Sequence, residues 1–240
     1  MSTAHTDAAD RTNPRRIDHT LTRAEMAQRV AADIPSGSVV NLGIGIPTSV
    51  SNYLTAEQDV ILHTENGMLG MGPEAHGEEI DNDLINAGKI PVTELPGASY
   101  FHHADSFAMM RGGHLDIAVL GAFQVSAAGD LANWHTGAAD AIPAVGGAMD
   151  LAVGAKNVFV MMELTTKKGE SKLVDHLTYP VTGLACVTRV YTEVAVFDIS
   201  KTTGVTVTAI FGDTTIDSLI TLTGLPLVDG TTTTPTTGIS

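Results

Sequence analysis

The chain carries a single cysteine, Cys186, among 240 residues. That excludes an intramolecular disulfide, and with it the small secreted scaffolds and cysteine-rich zinc modules. Cys186 lies in the run Ala185-Cys186-Val187-Thr188, where a small buried hydrophobe is the expected meaning of a thiol. Positive charge is scarce as well. Thirteen Lys and Arg stand against 27 Asp and Glu, for a net charge of −14, the wrong sign for neutralising a phosphate backbone. No nucleic-acid partner is expected. No apolar run approaches the roughly 18 residues of a membrane span, and the first twenty residues are polar, with arginines and no apolar segment of a signal peptide. These absences point to the reducing cytoplasm and to no membrane partner.

Several catalytic signatures are also missing. There is no Walker A lysine, no G-x-S-x-G elbow, no H-E-x-x-H and no Cys/His quartet, so ATP use, serine-hydrolase chemistry and a metal site are not expected. His102 and His103 are adjacent and cannot both face one ion from a regular helix. Gly43-Ile44-Gly45-Ile46-Pro47-Thr48 lies where a dinucleotide fingerprint would, but its third glycine is absent and Pro47 removes a backbone donor. A tight, closely packed turn is the expected reading.

What is present is a 43% hydrophobic sequence, sufficient for an ordinary core. Residues 1–18 read as a flexible arm, 19–228 as one domain, and 229–240, with its Thr-rich run, as a disordered tail. Thr22 and Glu25 form a capping box before Met26, Ala27, Val30, Ala31 and Ile34, a helix stopped by Pro35. Short apolar segments follow at 38–42, 60–63, 115–120 and 158–162, with helical segments at 83–87 and 105–111 and a helix opened by Val145–Asp150 before Gly154 between them. Further β-branched segments at 187–199 and 205–211 precede a helix around Ile216, Leu219 and Ile220. The pattern predicts an α/β fold with a mostly parallel sheet and helices on both faces, and ligands at the carboxyl ends of its strands.

The segment His63-Thr64-Glu65-Asn66-Gly67 ends an apolar strand on a carboxylate followed by Asn-Gly, a pair suited to a sharp turn. That would project Glu65 into the ligand crevice; the plainer alternative is a solvated residue before a turn. A glutamate is already ionised at neutral pH and attacks an activated acyl carbon without a general base. The resulting intermediate needs backbone donors for its oxyanion. Val145-Gly146-Gly147-Ala148 offers such amides, or else a closely packed turn.

Five segments in order, Asn41–Thr48, Glu65–Gly70, Ser106–His114, Gly129–Trp134 and Gly146–Leu151, resemble the B subunit of 3-oxoacid CoA-transferases, and the likeness runs from about residue 20 to about residue 226. The resemblance implies a CoA-transferase-like fold and no permanently bound cofactor or metal, with CoA and succinyl-CoA as substrates. It also implies a separate A subunit carrying much of the CoA site, with two copies of each polypeptide assembling together. Glu65 would be the nucleophile, Gly147, or else Gly146, an oxyanion donor, and Asn66 and Gly67 contacts to CoA. Phe101–Ser106 and Asn133–Gly137 look like the 3-oxoadipate-using branch, with acetoacetate as the alternative acceptor. Both 3-oxoadipate and succinate keep a second carboxylate, for which His102, His103, Arg111 and His135 are the candidate partners. Thr64 departs from the family's usual serine.

Overall fold

The computed structural model describes residues 19–137, 142–143 and 145–231. The expected arm over 1–18 and residues 232–240 of the expected tail lie outside them; residues 229–231, expected to belong to that tail, are instead ordered, with Asp229 ending a strand paired to Val207 and the Gly230 N–H donating to the Val207 carbonyl.

The chain enters through the predicted capping box. The Thr22 hydroxyl accepts the Glu25 N–H at 3.2 Å, and the Glu25 carboxylate accepts the Thr22 N–H at 2.8 Å. Helix α1 (Arg23–Asp33) then buries Met26, Ala27, Val30 and Ala31. Strand β1 (Val39–Leu42) leads through the glycine turn into a 3-10 segment, Ile46–Tyr53, with Pro47 in its first turn. Strands β2 (Ile61–Thr64), β3 (Met68–Glu74) and β4 (Val92–Tyr100) follow, then α2 (His103–Arg111) and β5 (Ile117–Gly121). Two short strands, β6 (Gln124–Ser126) and β7 (Leu131–Ala132), precede α3 (Ala148–Gly154), β8 (Asn157–Met161) and β9 (Leu173–Val174). Strands β10 (Val187–Tyr191), β11 (Ala195–Ser200) and β12 (Gly204–Ile210), helix α4 (Ile216–Thr223) and β13 (Leu227–Asp229) complete the domain.

Ten strands form one sheet in the order β13-β12-β11-β10-β8-β5-β1-β2-β3-β4. The centre, from β10 to β2, is parallel throughout. Antiparallel pairs flank it on both sides, and the edge pair β12–β13 is parallel again, so the sheet is mostly parallel, as expected. Residues alternate between two cores. Ile117 and Val119 pack on the face covered by α1 and the 3-10 segment, whereas Ala118 and Leu120 pack with Met110 of α2, Leu151 of α3 and Leu219 of α4. Burial on both faces is why β5 reads as an unbroken apolar run.

One further expectation is corrected, and two features were not anticipated. Residues 83–87 form turns and an isolated bridge, Ile85 to Pro91, instead of a helix. The Asn86 side chain takes the N–H groups of Gly88 and Ile90 and so competes with helical bonding. Strands β3 and β4 were hidden by Gly72-Pro73 and Pro96-Gly97. Their pairing shifts register twice, and β4 is an edge strand, where proline is tolerated. A separate three-stranded sheet, β7-β6-β9, also escaped the sequence pattern, because its strands are only two or three residues long.

Candidate active site

Strand β1 has β2 on one side and β5 on the other, both parallel to it. Chain order therefore reverses direction across the sheet at β1, and crevices form outside the carboxyl ends of strands at such a point. A cleft of about 410 Å³ occupies this position. Its lining includes Gly43 and Ile44 after β1, Glu65 after β2, Ala122 after β5 and Glu163 after β8. The turn around Gly43 is therefore a wall of the cleft as well as a packing turn. Its glycine eases a tight approach, since a Cβ at Gly43 would come 3.0 Å from the Val119 carbonyl oxygen.

Glu65 opens the turn between β2 and β3, closed by the Gly67 N–H donating to the Thr64 carbonyl at 3.1 Å. Gly67 has φ +111°, and a Cβ there would lie 2.2 Å from the Phe101 carbonyl oxygen. Both conditions require glycine. The Gly67 carbonyl accepts the Phe101 N–H, and Asn66 Nδ2 donates to the Ile85 carbonyl at 2.8 Å. Asn66 and Gly67 thus shape the turn, and neither lines the cleft. The Thr64 hydroxyl accepts the Met68 N–H at 3.1 Å, a task that serine's hydroxyl would serve as well.

Beneath the turn lies a buried polar chain that sequence reasoning missed. Asn41 Nδ2 donates to the His63 carbonyl at 3.1 Å and faces His63 Nδ1 at 3.0 Å, while Ser106 Oγ meets His63 Nε2 and the Thr64 carbonyl, each at 3.0 Å. An amide nitrogen only donates, so His63 Nδ1 accepts and Nε2 carries the ring proton. That proton goes to Ser106 Oγ, whose own hydrogen goes to the Thr64 carbonyl. Burial holds the His63 pKa down to about 4, so the ring is neutral at physiological pH. The peptide preceding Glu65 is fixed from α2 by this chain.

Gly147, at the start of α3, brings its N–H to the Glu65 carboxylate. The approach is close: a Cβ on Gly147 would lie 2.7 Å from Glu65 Oε2. Gly146, at φ +46°, has open space around it. Burial raises the Glu65 pKa above the usual glutamate value; the Gly147 N–H and the charge of His103 oppose that rise, and the charge of Asp150 adds to it. The site therefore holds a partly desolvated carboxylate, which favours nucleophilic use.

None of the four expected partners for a remote carboxylate lines the cleft, although the charge of His103 reaches Glu65. His102 caps α2, its Nδ1 accepting the Ala104 N–H. His103 packs on the Phe107 ring with centroids 4.6 Å apart. Arg111 is bound to Asp150 at 2.6 Å. His135 lies against Trp134 and accepts the Gly137 N–H. The cations that do line the cleft are Arg23 and Lys172. Lys172 had no signal in the sequence, because its contact with the cleft depends on the small second sheet. Cys186 is half-buried and its thiol is pushed up to about 11 by burial, in keeping with an unreactive thiol. Among the described residues, no group of three or more His, Cys, Asp or Glu could hold a metal ion, and no helix is long and apolar enough to cross a membrane.

Comparison with known proteins agrees with this architecture. The chain is 63% identical over 212 residues to the B subunit of the 3-oxoadipate CoA-transferase of Pseudomonas putida, covering 88% of this chain and 99% of that one. It is 60% identical over 213 residues to the protein of the same name from Acinetobacter baylyi, covering 89% and 98%. Among solved structures, glutaconate coenzyme A-transferase from Acidaminococcus fermentans shares the fold, with a TM-score of 0.65 at 17% identity, over 88% of this chain and 90% of that one. The family model for coenzyme A transferases matches residues 23–221, and the chain belongs to that family.

Proposed function

We propose that this chain is the B subunit of a 3-oxoadipate CoA-transferase, moving CoA from succinyl-CoA to 3-oxoadipate with Glu65 as nucleophile. The observation that carries the reading is a half-buried glutamate at a strand end, on the cleft and against the Gly147 amide, in a chain so similar to two proteins of that name. Those relatives are named as B subunits, which supports a partner A subunit; the two-plus-two assembly is proposed from the family resemblance alone.

A Glu65 carboxylate oxygen attacks the succinyl carbonyl, the C–S bond breaks, and CoA thiolate leaves a mixed anhydride. The thiolate then attacks the Glu65 acyl carbon and releases succinate, giving an enzyme–CoA thioester. In the second half, a carboxylate of 3-oxoadipate attacks that thioester and expels the thiolate, which takes the new acyl group and returns Glu65 to its free form. Gly147 is the candidate donor to the developing oxyanion. The cleft must exclude water, since hydrolysis of either anhydride would waste the thioester's energy.

The test is borohydride trapping and mass spectrometry of the assembled enzyme after succinyl-CoA, with kcat/KM measured for two acceptors. The expected result is CoA-dependent modification at Glu65, lost in Glu65→Ala, and a kcat/KM for 3-oxoadipate at least about tenfold that for acetoacetate. An unmodified Glu65, or a preference for acetoacetate, overturns the reading.

A further inference from the structure

The proposed reaction leaves one need unmet. Succinyl and 3-oxoadipyl groups each carry a second carboxylate while their reacting carbonyl sits at Glu65. The chain is strongly acidic, and the cleft holds the Glu65 carboxylate as the acyl donor binds, so an unneutralised second anion would be repelled. Some cation must therefore share the cleft with the nucleophile.

Two cations line it, and one is committed elsewhere. Arg23 is bound to Glu163 at 2.9 Å. Lys172 is half-buried and forms no ion pair among the described residues. The two carboxylates whose charges act on it, Glu163 and Glu193, already have donors: Glu163 holds Arg23, and Glu193 accepts the Leu164 N–H at 2.8 Å. The Lys172 backbone is pinned on both sides, its N–H donating to the Leu164 carbonyl at 2.8 Å and its carbonyl accepting the Val125 N–H at 2.9 Å. The side chain therefore starts from a fixed point. Burial disfavours its charged form and lowers its pKa, a cost that an incoming carboxylate would offset.

We propose that Lys172 is the specificity-determining cation that receives the remote carboxylate of the dicarboxylic substrates in the Glu65 cleft. This takes the place of the assignment to His102, His103, Arg111 or His135, and it rests on the proposed function above. The phosphates of CoA are a different anion. They lie far along the pantetheine arm from the reacting carbonyl, so a cation serving them would act equally on every acceptor acid.

The experiment uses the complete enzyme with both of its polypeptides, loaded as the Glu65–CoA thioester and mixed with 3-oxoadipate or with 3-oxohexanoate, the same carbon chain without the remote carboxylate. In Lys172→Met and Lys172→Gln, the second-order rate constant for 3-oxoadipate should fall by about 10- to 100-fold, the range of a hydrogen bond to a charged group, while that for 3-oxohexanoate stays within about twofold. Lys172→Arg should recover most of the loss. Thermal midpoints of the neutral variants should not fall, since a desolvated charge has been removed. Equal losses for both acids, or none for either, overturn the assignment. If the wild-type enzyme forms no thioester or does not transfer to 3-oxoadipate, the reading of the site fails instead, and the control shows it.

Discussion

Gly147 lies so close to Glu65 that a methyl group on it would come within 2.7 Å of Oε2 and 3.2 Å of the Phe107 ring. Its φ of −87° suits any residue, so Gly147→Ala carries no backbone strain and acts by moving the carboxylate. The expected outcome is a thermal midpoint close to wild type and thioester formation slowed by roughly 100-fold, the scale of losing a backbone donor or its alignment. Gly146→Ala gives the opposite pattern. At φ +46° with open space around it, it costs about 1 kcal/mol of stability and leaves the chemical step within a few-fold. Single-turnover kinetics and urea unfolding of both variants check the pair, and a wild-type rate in Gly147→Ala would remove Gly147 from the site.

Ser106→Ala leaves the buried His63 Nε2–H without a partner and removes one of the two donors to the Thr64 carbonyl, which keeps the Gly67 N–H. The expected cost is about 1–3 kcal/mol, a drop in Tm of roughly 3–10 °C for a domain of this size. Because the Thr64 peptide is the support of Glu65, kcat should fall about tenfold with KM little changed. Loss of stability with an unaltered kcat would make the Asn41–His63–Ser106 chain purely structural.

With Glu65 as the proposed nucleophile, the acidic limb of thioester formation should follow its ionisation. Burial places that limb above the ordinary glutamate range, and Asp150 pushes it further while His103 pulls it back. Asp150→Asn removes a repelling charge and frees Arg111 from its partner, so the limb should move to lower pH, by less than about one unit. His103→Gln should move it to higher pH. Stopped-flow rates of thioester formation between pH 4 and 7 check both signs, and shifts in the same direction would contradict the electrostatic account.

Much of this was legible in the sequence where physics is local. Thr22 and Glu25 announce α1, the unbroken apolar run of β5 announces a strand buried on both faces, and the Asn66-Gly67 turn announces that Glu65 ends a strand. Gly147, named through the family resemblance, does lie beside Glu65, while its role as a donor belongs to the proposal. What stayed hidden depends on residues distant in sequence. Ser106 reaches His63 across 43 positions, and Lys172 reaches the cleft only because β9 pairs with β6. Charge type alone does not show which cations are already engaged: Arg111 looks available until Asp150 is seen to hold it. Asn86, in the segment that reads as a helix, shows the same limit, since its side chain bonds the backbone of a loop whose ends meet near Pro91.

His63 gives the fold a defined response to acid. Its folded pKa is depressed to about 4 from an ordinary value of 6.5, so on acidification the unfolded chain takes up a proton that the folded chain refuses. Its stabilising contribution is complete above about pH 6.5 and is lost as the pH falls to about 4, amounting to at most roughly 3 kcal/mol. Glu65, with its raised pKa, acts with the opposite sign, so wild type alone does not isolate the histidine. His63→Gln does. It should be less stable than wild type at pH 7, having lost the fit to Asn41 and Ser106, and the gap should narrow steadily toward pH 4, because the variant has no ring to protonate. Urea unfolding midpoints and slopes at half-unit pH intervals measure the gap directly, and two curves running parallel from pH 7 to 4 would show that the ring is not held neutral by its burial.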